Sequence, residues 1–122
     1  MEKNSVTNQR TTIEEEKKDM ADLMELTDEN YADFIARQDG ILLFYKSLCP
    51  HCKAIKKVMQ RFAEKGSEAL MAQIDTEANP QAVQALEVER VPTMILIKRG
   101  GIVGRKIGLL NVKELAELYK TI

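Results

Sequence analysis

The chain has 122 residues, 44% of them apolar and 30% charged, with a formal net charge of −1. That is the make-up of one soluble domain long enough to bury its own core. The near-neutral balance lacks the basic footprint of nucleic-acid binders, and no stretch is long and apolar enough to span a bilayer, so neither nucleic acid nor membrane is an expected partner. The only two cysteines, Cys49 and Cys52, are too few for a disulfide framework and are expected to carry chemistry.

Residues 1–19 are polar and charged, with no apolar core of a signal peptide; they are expected to form a flexible tail before a domain over 20–122, and a cytoplasmic location is the expectation. Thr12 with Glu15 three residues on would suit a short helix cap, but a solvated lead-in is favoured. Leu23-Met24-Glu25-Leu26 reads as a strand. Thr27 or Asp28 is then expected to cap a helix whose Tyr31, Phe34 and Ile35 share a face, with Asp39-Gly40 as its stop. Ile41-Leu42-Leu43-Phe44-Tyr45 is continuously apolar and too short for a helix, which predicts a buried central strand.

Behind that strand stands Cys49-Pro50-His51-Cys52, followed by Ile55, Val58, Met59 and Phe62 at helical spacing, with Gly66 as the end of the helix. Ala69–Ile74 reads as a strand, Asn79-Pro80 as a helix start with Val83 and Leu86 inward, and Thr93–Ile97 as another strand. Gly100-Gly101 is expected to turn the chain into a hairpin partner over Ile102–Ile107, and Asn111 to cap a last helix carrying Leu115, Leu118 and Tyr119. The order β-α-β-α-β-α-β-β-α predicts an α/β fold: a mixed sheet of about five strands with helices on both faces.

A strand running into Cys-x-x-Cys at a helix start is the layout of a thiol–disulfide redox site. The landmarks around it come in a familiar order: Leu26-Thr27-Asp28, the apolar strand, Cys49-x-x-Cys52-Lys53, Asp75 closing the next strand, Val91-Pro92-Thr93, and Gly108 before the last helix. From Leu23 onward the chain thus resembles the thioredoxin family. The resemblance implies a thioredoxin fold, a cytoplasmic protein-disulfide oxidoreductase of redox homeostasis and electron transport, and no cofactor beyond the Cys49–Cys52 disulfide. It implies that Pro92 is cis and lies beside the cysteines, with Val91, Thr93, Gly108 and Leu109 contacting an extended substrate. Protein disulfides or dithiols are the implied substrates, and a thioredoxin reductase or other thiol donor an implied partner of a monomer.

Two departures stand out. The family's Trp before the first cysteine is Leu48 here, and its Gly-Pro between the cysteines is Pro50-His51. Its buried Asp, which assists proton transfer from the second cysteine, aligns with Leu43, and the accompanying Lys with Met71.

At a helix N-terminus free backbone N–H groups and the dipole favour a negative sulfur, so Cys49 is the expected nucleophile and Cys52 the expected resolving thiol. Pro50 suits the first helical position. His51 lies where its N–H or positive charge favours a Cys49 thiolate, and Lys53 adds a smaller contribution; Lys56, Lys57 and Arg61 continue a basic side of the helix. Cys-Pro-His-Cys is also the pattern of DsbA, an oxidising relative. The gap between thioredoxin, near about −270 mV, and DsbA, near about −120 mV, is about 7 kcal/mol for two electrons, so a potential above thioredoxin's is expected. Leu48, Val91, Leu109 and Leu110 are candidates for an exposed apolar rim around the thiols.

Other readings compete. Two cysteines and one histidine are legitimate zinc ligands, but positions 49 and 52 face together on a helix while 51 is rotated away; no metal site is expected, and Lys53 after Cys52 does not fit haem attachment. A non-catalytic binding module on the same fold stays open, as does oxidase or isomerase activity in place of reduction.

Overall fold

The computed structural model describes residues 23–66 and 68–122; the expected tail over 1–19, the Thr12 cap and the domain start at residue 20 lie outside them. Its elements are β1 (Met24–Leu26), α1 (Tyr31–Arg37), β2 (Gly40–Tyr45), α2 (Pro50–Glu64), β3 (Leu70–Asp75), α3 (Pro80–Ala85), β4 (Thr93–Lys98), β5 (Gly101–Ile107) and α4 (Val112–Thr121). The order is the expected one.

The sheet runs β1-β3-β2-β4-β5. β1, β3 and β2 are parallel, and β4 and β5 antiparallel. β2 therefore has a partner on each edge and a layer on each face, which is why its run is apolar throughout rather than alternating. Its side chains separate with a period of two: Ile41 and Leu43 join Ile55, Met59, Phe62 and Leu115 under α2 and α4, while Leu42 and Phe44 join Phe34, Ile74 and Ala82 under α1 and α3. Each of the fully buried Leu, Ile, Met and Phe side chains among them contributes about 1.5–3 kcal/mol. The C-terminal ends of β2 and β3 and the start of α2 thus rest on a two-layered, rigid base.

Several local expectations are corrected. Neither Thr27 nor Asp28 caps α1; Asn30 stands at that position, and its Oδ1 accepts from the Thr27 N–H at 2.7 Å. Asp28 instead caps α3, accepting from the N–H groups of Ala82 at 2.8 Å and Gln81 at 3.2 Å. Asn79-Pro80 does open α3, with Asn79 directly before its first residue Pro80, but the Asn79 side chain makes no capping bond to it. Its Oδ1 accepts from the Asp28 N–H at 2.8 Å and its Nδ2 donates to the Asp75 carbonyl at 2.9 Å. Asp28 reaches α3 because the loop after β1 lies against the start of that helix.

Gly40 does not stop α1, which ends at Arg37. It opens β2, where a Cβ would collide with the Leu70 carbonyl oxygen. The hairpin turn is Arg99-Gly100 rather than Gly100-Gly101: both have positive φ, 53° and 80°, as a two-residue turn of this hand requires, and Gly101 already pairs with Lys98. Asp39 secures the turn by accepting from the Arg99 N–H at 2.9 Å. β3 begins and ends one residue later than expected. Asn111 does cap α4, in a reciprocal box with Glu114: its Oδ1 accepts from the Glu114 N–H at 2.8 Å, and its own N–H donates to Glu114 Oε1 at 2.9 Å.

Candidate active site

Beyond Tyr45 the chain leaves β2 and turns through Lys46, Ser47 and Leu48 into α2. Leu48 has φ +58°, a left-handed conformation uncommon for a branched side chain, and is 91% exposed. Cys49 is the N-cap of α2 and Pro50 follows in its first turn. The Cys49 Sγ accepts a hydrogen bond from the Cys52 backbone N–H at 3.2 Å. The sulfur thus takes the place of a capping oxygen and satisfies one of the free amides at the start of α2. Both cysteines are free thiols; Cys49 is half-buried, whereas Cys52 is 4% exposed.

Burial, and next the hydrogen bond with Cys49, push the Cys52 thiol up to about 11, while the backbone and charge of Lys46 pull the other way. The pair is thus asymmetric: a half-buried sulfur that caps the helix, and a buried one whose thiol form is favoured.

The structure brings Leu48, Cys49, Pro50 and Val91 together along one open cavity of about 560 Å3. Cys52 and Lys53 line a different one, of about 230 Å3, with Leu43, Tyr45, Lys46, Lys56 and Gln73. Lys46 and Leu48 belong to both. His51 is exposed in the first turn of α2, and so are Lys53, Lys57 and Arg61 further along.

The Val91–Pro92 bond is cis, as the resemblance implies. Pro92 and Thr93 are buried at the start of β4. Thr93 Oγ1 donates to the Arg90 carbonyl at 2.7 Å, and the Pro92 carbonyl accepts from the Gly108 N–H at 3.1 Å. Gly108 has φ +89°, which glycine adopts at no steric cost. Pro92, Thr93 and Gly108 therefore form one hydrogen-bonded corner behind Val91, and none of the three lines either cavity beside the thiols. Leu109, 52% exposed, and Leu110 line a separate depression of about 200 Å3 with Lys106, Glu114 and Leu118. The expected rim thus divides: Leu48 and Val91 share the cavity of Cys49, and the two later leucines do not.

Sequence reasoning missed part of the surroundings. Thr76, Val83, Val88, Glu89 and Arg90 complete the wall on the Cys49 side; only the position of Glu89 and Arg90 directly before Val91 hinted at it. On the Cys52 side, Tyr45 donates to Glu25 Oε2 at 2.7 Å and Gln73 Nε2 to Glu25 Oε1 at 2.8 Å. Burial, and then the bond to Glu25, hold the Tyr45 phenol well above its usual range. Leu43, in the position of the family's buried acid, is fully buried and borders this cavity. Among the described residues no three His, Cys, Asp or Glu side chains converge as metal ligands, and no helix is long and apolar enough to cross a membrane.

Comparison with known proteins agrees with this fold. The thioredoxin family model matches residues 22–121. Thioredoxin C-3 of Corynebacterium nephridii is 31% identical over 96 residues, spanning 77% of this chain and 66% of that protein. The thioredoxin of Mycolicibacterium smegmatis is 34% identical over 88 residues, 68% of this chain and 79% of that one. Among solved structures, reduced desulfothioredoxin from Desulfovibrio vulgaris Hildenborough superposes with a TM-score of 0.74 at 35% identity, covering 84% of this chain and all of that one. Mitochondrial thioredoxin 3 of Saccharomyces cerevisiae shares the fold at a TM-score of 0.73, with 24% identity. The chain belongs to the thioredoxin family, a family of thiol–disulfide oxidoreductases.

Proposed function

We propose that the chain exchanges a Cys49–Cys52 dithiol or disulfide with protein substrates, and that it is more oxidising than ordinary thioredoxin. The observation that carries this reading is the capping of α2 by the Cys49 sulfur, with the Cys52 N–H at 3.2 Å and the Cys52 thiol buried beneath. In the reducing direction the Cys49 thiolate attacks one sulfur of a substrate disulfide, and the other sulfur leaves and is protonated. The Cys52 thiolate then attacks Cys49 Sγ; the mixed disulfide breaks, the Cys49–Cys52 bond forms, and the second substrate sulfur departs. Two electrons pass to the substrate, with no cofactor beyond the pair. The oxidising direction is the reverse.

Leu48 and Val91 would hold an extended apolar stretch of substrate beside Cys49, and the corner of Pro92, Thr93 and Gly108 would fix Val91 in place. Pro50, His51 and Lys53 would tune the pair: Pro50 holds the first turn of α2 rigid, and the donor or charge of His51 stabilises the reduced, thiolate form, which raises the potential. A thioredoxin reductase or another thiol donor would return electrons to a monomeric, cytoplasmic protein.

Equilibration with a glutathione redox buffer tests the tuning. The expected potential lies above about −270 mV, that of thioredoxin, and a value at or below it removes His51 from the account. Insulin reduction coupled to a thioredoxin reductase sorts the direction: turnover identifies a reductase, and a high potential without coupling an oxidase or isomerase. One further reading draws on the display of Leu48, 91% exposed beside the thiols, which also suits a docking module. Cys49→Ser separates the two, since exchange is lost in that variant whereas docking survives.

A further inference from the structure

Charge is divided unevenly over this chain. Its 18 lysines and arginines and 19 aspartates and glutamates nearly cancel, yet four cations and one acid line the two cavities at the thiols. Lys46 and Arg90 stand with Glu89 on the Cys49 side, and Lys46, Lys53 and Lys56 with no carboxylate on the Cys52 side. Lys46, Lys53, Glu89 and Arg90 are exposed, and Lys56 is half-buried. Among the described residues none of the four cationic side chains has an ion pair or a hydrogen bond; the ion pair present, Arg37 with Asp33, lies on α1. The carboxylates that touch the cavity walls are held by neutral donors: Glu25 by Tyr45 and Gln73, and Glu77 by Ser47 Oγ at 3.1 Å. They offset part of the positive field but leave every cation free. Solvated lysines are ordinary on a helix face. These differ in placement, because Lys46 follows the end of β2 while Arg90 directly precedes the Val91–Pro92 bond, so one cavity receives cations from two separate elements. The Arg90 carbonyl is fixed by Thr93 Oγ1 at 2.7 Å, which anchors the backbone that carries the guanidinium.

We propose that this site selects protein disulfides whose reacting cysteine is flanked by aspartate or glutamate, with Arg90 and Lys46 as the specificity-determining residues beside Cys49. This rests on the exchange reading above and deepens it. Arg90 offers a planar fork of donors that matches a carboxylate through two hydrogen bonds, and Lys46 a compact charge on a long stem. Leu48 and Val91 take the apolar part of the same segment in the same cavity. Lys53 and Lys56, across the turn, add to the field that draws an acidic segment in, an effect on the association rate that salt weakens. Glu89 works against the selection.

The test uses the reduced full chain and synthetic disulfide peptides that are alike except beside the cysteines, where they carry glutamate, glutamine or lysine. Each second-order rate of reduction is divided by that of an uncharged thiol, mercaptoethanol, on the same peptide, which removes the peptide's own reactivity. Single exposed charge pairs are weak, so glutamate is expected to exceed glutamine by about fivefold at about 0.05 M salt, with lysine below both. Most of that preference is expected to vanish at about 1 M salt, where the Debye length is about 3 Å. The double variant Lys46→Gln/Arg90→Gln is expected to bring the glutamate-to-glutamine ratio close to one. Glu89→Gln is expected to raise it about twofold, a gain that a damaged fold does not produce. Lys57→Gln/Arg61→Gln, on the same helix as Lys53 but lining neither cavity, is expected to keep the ratio. A ratio near one in the wild-type chain overturns the proposal, as does a ratio lowered as far by the Lys57 and Arg61 changes as by those at Lys46 and Arg90. Failure to reduce any of the peptides instead overturns the exchange reading on which it rests.

Discussion

On the Cys49 side of the α2 start a cavity of about 560 Å3 opens between Leu48, Pro50 and Val91; on the Cys52 side one of about 230 Å3 is enclosed by Leu43, Tyr45 and Gln73 and edged by three lysines. The first is broad and partly apolar, and its sulfur is held by a helix amide. The second is small, its cysteine is buried, and three lysines are among its lining residues. Two thiols only three positions apart thus meet different surroundings, and in the proposed exchange the open side would receive the substrate while the enclosed side would serve the resolving step. The turn Lys46–Leu48 is the wall between them, and Lys46 and Leu48 face both ways.

The strongest way to break this contrast is to place the missing acid. Leu43→Asp removes a fully buried leucine from the β2 core and leaves a carboxylate there without the family's lysine, since Met71 occupies that position. We expect a loss of about 3–5 kcal/mol in urea unfolding, the sum of a lost apolar side chain and an unpaired buried acid. A loss below about 1 kcal/mol would mean that the Cys52 side is wetter than its geometry implies.

A smaller effect separates the thiols by pH. The Cys52 thiol rises from 9.0 to about 11 on folding. Between those values the unfolded chain ionises before the folded one, so the folded reduced protein loses stability as pH rises through that window and keeps its full share below it. The expected loss is about 1–2 kcal/mol, the full shift being reduced by solvent at the cavity mouth. The oxidised protein, which has no thiol there, loses less. Denaturant curves of both forms at each end of the window measure the difference, and equal losses would contradict the assignment.

The smallest change bears on the Cys49 side alone. Asp28→Ala leaves two amides of α3 without their acceptor and loosens the helix whose Val83 lines that cavity. About 1 kcal/mol of stability is expected to go, with slower capture of substrate and an unaltered resolving step. A change in resolution instead would show that the two cavities are not independent.

What could be read from the chain was whatever local chemistry decides. Ile41 to Phe44 is apolar at every position because both faces of β2 are covered, and Ile55, Met59 and Phe62 repeat at helical spacing because one face of α2 is. Asn111 and Glu114 form their box within one turn, so two letters suffice to locate the start of α4. Asp28 was misread because its acceptor role is settled more than fifty residues away, at Gln81 and Ala82. Gly40 was misread for the same kind of reason: it is needed for the close approach of Leu70 and not for a helix end. At the site, the two cysteines at the start of α2 and the cis bond before Pro92 were legible from Cys49-Pro50-His51-Cys52 and Val91-Pro92-Thr93. The division of the leucine rim and the placement of Lys46 were not, since both depend on where turns carry side chains after the strands have paired.

The contrast between the two sulfurs is tested most directly by trapping. Cys52→Ser and Cys49→Ser are each mixed with a disulfide-bearing protein, alkylated, and resolved without reductant, with the adducts mapped by mass spectrometry. The account predicts a stable mixed disulfide through Cys49 in the Cys52→Ser variant and almost none in the Cys49→Ser variant. Equal trapping by both, or an adduct mapped to Cys52 alone, would contradict it.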